Sequence, residues 1–174
     1  VKLRVASFNV RFGLATDGWN SWPFRRRAAG TVARHLEADV LGLQEAYGFQ
    51  ARSLRRRLGR YGMTGDGRSE RRRGERCTVL YRQAALRLTD SSTRWYGDEP
   101  FAPGTMLPRA SHPRIVTIVD LEPVAGGPGI TVANTHFDQR HDDNRVASAR
   151  QLAGWLSIAD RPTIVVGDLN AGPA

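Results

Sequence analysis

Cysteine occurs once, at Cys77, and lysine once, at Lys2. A single thiol excludes an internal disulfide, and its place in the apolar run Cys77-Thr-Val-Leu-Tyr81 marks it as a core residue. Long apolar runs are missing too: none approaches the ~20 residues that span a bilayer, and no charged-then-apolar leader opens the chain. The sequence reads as a soluble domain, secreted or cytoplasmic. It begins on Val1 rather than Met, already inside a strand-like run, so an upstream segment is expected.

What is present is arginine and enough apolar residues for a core. With 174 residues, 40% of them hydrophobic, residues 1–174 read as one domain. The formal charge of +9 comes almost wholly from arginine, a balance that favours polyanionic partners without naming one. Its densest clusters, Arg55 to Arg57 and Arg71 to Arg73, fall in a helical pattern and in a Gly-flanked loop, where solvated faces are the ordinary reading.

The chain starts with Leu3 to Asn9, a strand with Leu3, Val5, Ser7 and Asn9 on one face. Phe12 to Trp22 has no period and reads as a loop. From Pro23 a helix is predicted, its apolar stripe Phe24, Ala28, Val32 and Leu36 with Ala29 and Ala33 beside it. Asp39 to Glu45 is a second apolar strand that ends in an acid. A second helix follows from Phe49 to Leu58 and stops at Gly59. Gly65 to Gly74 is a charged loop, and Cys77 to Arg82, Leu86 to Ser91 and Arg94 to Tyr96 read as a meander. The long stretch holding Pro100, Pro103, Pro108 and Pro113 is the kind of connection that forms a rim over a site.

Ile115 to Leu121 and Ile130 to His136 form an antiparallel hairpin about Gly126-Gly-Pro-Gly129. A helix opened by Asp142, Asp143 and Asn144 presents Val146, Ala149, Leu152, Ala153 and Leu156, the first three residues serving as cap and first turn. It returns the chain to Thr163-Ile-Val-Val-Gly-Asp168, read as a short, fully buried strand. A period of two sends Asp168 and Asn170 to one side, and His136 and Asp138 to one side if their strand continues.

Four strand ends thus carry polar chemistry: Asn9, Glu45, His136 with Asp138, and Asp168 with Asn170. Met in one cleft, the carboxylates of Glu45 and Asp168 are hard oxygen ligands suited to Mg²⁺ or Mn²⁺. The neutral amides of Asn9 and Asn170 can hold a phosphate without repelling it, and the imidazole can donate a proton to a leaving oxygen. No Ser-His-Asp arrangement or reactive Cys is evident, which favours metal-assisted water attack over a covalent intermediate.

Ser7-Phe-Asn9-Val-Arg11, Leu43-Gln-Glu45, Asn134-Thr-His136-Phe-Asp138 and Gly167-Asp-Leu-Asn170 resemble, in order and spacing, the motifs of the endonuclease/exonuclease/phosphatase (DNase I-like) superfamily. The loop Asp17 to Trp22 and Pro113-Arg114 look most like bacterial members. The resemblance implies an α/β fold, a four-layer sandwich of two mixed sheets flanked by helices. It implies that Glu45 binds the metal and that Asn9 and Asn170 position the phosphate or the metal-bound water. Asp168 would orient or activate the nucleophilic water, and His136 would assist the leaving group. Asp138 belongs to the same motif, and Arg114 would contact phosphate. Family members continue into a Ser-Asp-His-like strand; the chain stops at Ala174, and His35, His112 and His141 fit no such motif, so the expectation is a C-terminally incomplete fragment, preferred over a degenerate enzyme.

Two readings follow. One is a Mg²⁺- or Mn²⁺-dependent phosphoester hydrolase, a phosphodiesterase or nuclease or a phosphatase, whose substrate includes nucleic acid among its candidates. The other is a catalytically incomplete, basic module of the same fold that binds phosphate or nucleic acid.

Overall fold

β1 (Val5–Asn9), α1 (Trp22–His35) and β2 (Val40–Tyr47) form the βαβ start that the alternation predicts, with β1 parallel to β2. α2 (Gly48–Leu58) follows and stops at Gly59, which takes a φ of 88°. Then β3 (Tyr61–Thr64) and β4 (Glu75–Arg82) pair antiparallel, and β4 pairs antiparallel with β2, in the order β1-β2-β4-β3. The second sheet holds β5 (Leu86–Trp95), β6 (Ile115–Pro123), β7 (Ile130–His136) and β8 (Thr163–Asp168) in sequence order. Its first three strands are antiparallel, and β7 runs parallel to β8 across α3 (Asp142–Leu156). This computed structural model describes residues 2–172.

Three apolar layers separate four layers of structure. Leu41, Leu43 and Leu80 face Ala29, Ala33, Ala51 and Leu54 of α1 and α2. Val40 and Val79, one residue out of phase on the same strands, face Val119, Leu121 and Val132 of the other sheet. Beyond that sheet, Val116 and Ala133 meet Leu152 and Trp155 of α3. Both sheets are mixed, so the fold is the four-layer α/β sandwich expected. Alternation with period two is what lets one strand serve two layers.

Several local expectations are corrected. The buried face of α1 is Trp22, Ala29, Gly30 and Ala33, while Phe24 and Val32 are 57% and 46% exposed. Small side chains win because α1 lies close against α2: a Cβ on Gly30 would come within 2.5 Å of the Arg57 side chain. α3 is likewise turned, burying Asn144, Ser148 and Leu152 and leaving Val146 exposed, because the Asn144 amide is anchored by hydrogen bonds. The expected meander does not form. β4 and β5 belong to different sheets, Leu86 to Trp95 is one strand with an irregularity between Leu88 and Asp90, and the short β3 had no signal strong enough to mark it. β8 is an edge strand: Ile164 and Val166 face the inter-sheet core, but Val165 is 45% exposed. Among the described residues no helix is long and apolar enough to cross a membrane.

Candidate active site

The carboxyl ends of the two parallel strand pairs, β1 with β2 and β7 with β8, deliver the polar residues to one place. Asn9 pairs with Gln44, and His136 lies opposite Asp168. The backbone is bent to aim them. The β2–β4 register breaks between Leu43 and Ala46, and Glu45 in that break takes a φ of 57°. A non-glycine residue in the left-handed region costs on the order of 1–3 kcal/mol, and such strain clusters at functional sites. Asn170 has a φ of 50°. Gly167, at a φ of 154°, cannot be replaced without conflict, since a Cβ there would sit 2.2 Å from the Thr135 carbonyl oxygen.

Asn9 is the hub. Its Nδ2 donates to Glu45 Oε1 and to Asp168 Oδ2, both at 2.9 Å, so one amide ties a carboxylate of each sheet. Asn9 Oδ1 accepts from Arg11 N at 2.8 Å, and Glu45 Oε2 accepts from Phe12 N at 2.7 Å. Asp168 Oδ1 accepts from Asn170 N at 3.0 Å, and the Asn170 side-chain amide donates to Phe137 O at 3.0 Å. Both Nδ2 hydrogens of Asn9 are thus committed to carboxylates. In this arrangement Asn9 sets the carboxylate spacing, and among the described residues Asn170 Nδ2 makes one hydrogen bond, leaving its second N–H for another acceptor. Burial pushes the Asp168 carboxyl up, but the Asn9 and Asn170 hydrogen bonds and the His136 and Arg114 side chains outweigh it and hold it below the usual carboxylate range.

His136 is buried, and its Nδ1 lies 3.2 Å from Arg114 Nη1. A guanidinium only donates, so Nδ1 accepts and the ring proton sits on Nε2. Burial, reinforced by the Arg114 charge, lowers the His136 pKa to about 4. The side chain is therefore a neutral donor at pH 7. Beneath it, Glu45, Arg68, Glu75, Arg114 and His136 border a cavity of about 10 Å³, room for about one water molecule.

Asn9, Glu45, His136, Asp168, Asn170 and Arg114 are therefore brought together. Asp138 is not joined to His136. Its oxygens accept from Arg140 N at 2.7 Å, His141 N at 3.3 Å and Asn144 Nδ2 at 3.0 Å, fastening the start of α3. Burial raises the Asp138 pKa, yet these donors prevail and hold it at about 2. Asp142 and Asp143 occupy the first turn of α3 as expected, and His141 is the cap residue.

Three further contributors carried no decisive signal in the sequence. Asn134, inside one of the quoted motifs, is fully buried between the sheets: its Nδ2 donates to Leu43 O and Thr78 O at 3.0 and 2.9 Å, and its Oδ1 accepts from Gln44 Nε2 at 2.6 Å. Arg68 and Glu75 form a sheltered two-pronged ion pair at 2.8 and 3.0 Å. Burial raises the Glu75 pKa, Arg68 pulls it back and Glu45 adds to the rise. Seven positions apart in a charged loop, these two had no period to single them out.

Glu45 and Asp168 are the residues that could hold a hard cation, since each of their oxygens accepts one hydrogen bond and retains a lone pair, but among the described residues no three or more His, Cys, Asp or Glu side chains gather as a metal cluster, so such an ion would keep most of its waters.

Comparison with known proteins places these features in a wider set. A model described as the Endonuclease/Exonuclease/phosphatase family matches residues 6–174. No curated protein matches the chain. An endonuclease/exonuclease/phosphatase from Bacteroides vulgatus superposes with a TM-score of 0.91 and 31% identity, over 97% of this chain and 66% of that one. A Bacteroides thetaiotaomicron mannosyl-6-phosphatase gives 0.89 and 24%, over 99% and 67%. D. rerio TDP2, complexed with a single-strand DNA product, gives 0.73 and 19%, over 96% and 60%. The chain thus spans about two thirds of the length of these structures.

Proposed function

We propose, from the premise that this chain belongs to the endonuclease/exonuclease/phosphatase family, that its site hydrolyses phosphate esters by in-line attack of water, with Mg²⁺ or Mn²⁺. The observation that carries this reading is the Asn9 amide bridging Glu45 and Asp168 beside a buried, neutral imidazole. The mannosyl-6-phosphatase and the DNA-product complex share the fold and support the reaction class without selecting a substrate.

Glu45 and Asp168 would hold the metal, which when bound supplies positive charge to the phosphoryl oxygens. Everything else is the work of the chain. Asp168, held ionised by Asn9 and Asn170, accepts a hydrogen bond from the attacking water and orients it. Arg114 and the second side-chain N–H of Asn170 meet the non-bridging oxygens. As the water oxygen bonds to phosphorus and the ester P–O bond breaks, His136 Nε2–H stabilises the departing oxygen. Asn9 fixes the carboxylates, and Asp138 fixes the helix behind them.

The test is hydrolysis of p-nitrophenyl phosphate and bis(p-nitrophenyl) phosphate with Mg²⁺ or Mn²⁺, with a chelator, and with an Asp168→Ala control. Chelator-sensitive turnover above that control is expected. Its absence with both metals, together with salt-sensitive DNA binding, would leave the binding-module reading in place.

A further inference from the structure

The Gly67–Gly74 turn between β3 and β4 is tightly built. Gly67 N donates to Arg72 O at 3.1 Å, Arg72 N to Ser69 O at 2.7 Å, Ser69 N to Arg73 O at 3.1 Å, and Arg73 N to Ser69 Oγ at 3.1 Å. Trp95 Nε1 donates to Arg68 O at 2.7 Å and clamps the base of the turn. Arg72 takes a φ of 53°, a left-handed value uncommon outside glycine, and its side chain folds back over the Trp95 ring to pair with Asp66.

That reversal sends Arg71 and Arg73 the other way. They line a cleft of about 580 Å³ between this turn and the segment 104–113, with Tyr47 and Met106 as apolar walls. Among the described residues neither guanidinium has an ion-pair or hydrogen-bond partner, in contrast to Arg68 and Arg72 on the same turn. Glu70 on the rim offsets one of the two charges, and the Arg68–Glu75 pair is internally neutral. His112, also on the wall, is pushed below its ordinary pKa first by burial and then by Arg68, Arg114 and Arg140, with Asp138 opposing. The cleft adjoins the small cavity under His136: Arg68, Glu75 and Pro113 border both.

We propose that this cleft is a second anion subsite, in which Arg71 and Arg73 hold a phosphate of the substrate other than the one whose ester bond breaks. The organic group between the two phosphates lies against Tyr47 and Met106. Two guanidiniums can together engage the several non-bridging oxygens of a tetrahedral phosphate, where a lone carboxylate offers only two oxygens in one plane. The inference rests on the phosphoester-hydrolase reading and narrows it: the substrate carries at least two phosphates, either neighbours along a nucleotide strand or both on one small molecule.

Calorimetric titration tests this without turnover, using adenosine 3′,5′-bisphosphate against adenosine 5′-monophosphate. The native chain is expected to prefer the bisphosphate about 10-fold or more, and Arg71→Ala/Arg73→Ala to bring that ratio close to one. Arg55→Ala/Arg56→Ala, which removes the same charge from exposed positions on α2, should keep the native ratio. A native ratio near one, a ratio untouched by Arg71→Ala/Arg73→Ala, or an equal loss in the α2 variant overturns the subsite. A thymidine tetranucleotide, titrated alongside, separates the two sources: tighter arginine-dependent binding than the bisphosphate marks a strand, and equal binding a small molecule. Failure of p-nitrophenyl ester turnover is a distinct result that removes the parent reading, whereas loss of the ratio with turnover intact removes only the subsite.

Discussion

The space between the two sheets is filled differently along its length. At one end Val40, Val79, Val119, Leu121 and Val132 make an apolar layer. At the other, the same gap holds Asn134, whose amide bonds to Leu43 O, Thr78 O and Gln44, one residue before Glu45. The apolar end tolerates small shifts, because dispersion and burial are non-directional. The polar end does not, since hydrogen bonds lose most of their strength once distance or angle drifts. The first end supplies stability, and the second sets the register in which Asn9 meets both carboxylates.

Substitutions should split along this line. Asp168→Ala is expected to lower kcat by about 10²- to 10⁴-fold, with steady-state rates on p-nitrophenyl esters as the measurement. Leu121→Ala, in the apolar layer, should cost about 2–5 kcal/mol in denaturant unfolding while the rate per folded molecule stays native. A comparable fall in kcat would break the comparison. Asn134→Ala should do both things, with a fall in kcat smaller than that of Asp168→Ala. It orphans buried carbonyls at about 1–3 kcal/mol each and lets the Gln44–Glu45 bend drift, so unfolding and kcat move together.

The smallest effect concerns Asp138. With its carboxyl held at about 2 in the fold, below the ordinary 3.8, it contributes stability that is full above the unfolded value and is lost as pH falls through the folded one. The gap in Tm between the native chain and Asp138→Asn should therefore be constant from about pH 7 to 5 and shrink between about pH 4 and 2. A gap that widens on acidification would show that Asp138 is not the fastener of α3.

Much of the framework was legible because it is written in short periods. The apolar runs ending in Asn9, Glu45, His136 and Asp168 marked four strands and their tips, the βαβ start followed from alternation, and Gly126-Gly-Pro-Gly129 marked the hairpin. Helix faces were less legible. Phe24 and Val32 looked like the buried stripe of α1, but the close approach of α2 selected Gly30 and Ala33. Asp138 looked like a partner for His136 by spacing alone. Its oxygens turned instead to the three N–H donors that α3 presents.

The sequence by itself determined which residue types stand at the strand tips, since alternation and chain reversal are local properties of a few consecutive residues. Only the tertiary structure decided how those residues are used. The two sheets had to stack before Asn9 could join Glu45 to Asp168, 36 and 159 positions away in the chain. Arg72 had to turn back onto Trp95 before Arg71 and Arg73 could face one cleft. Contacts at such separation depend on packing and on where each buried polar group finds a partner, and no local period encodes either.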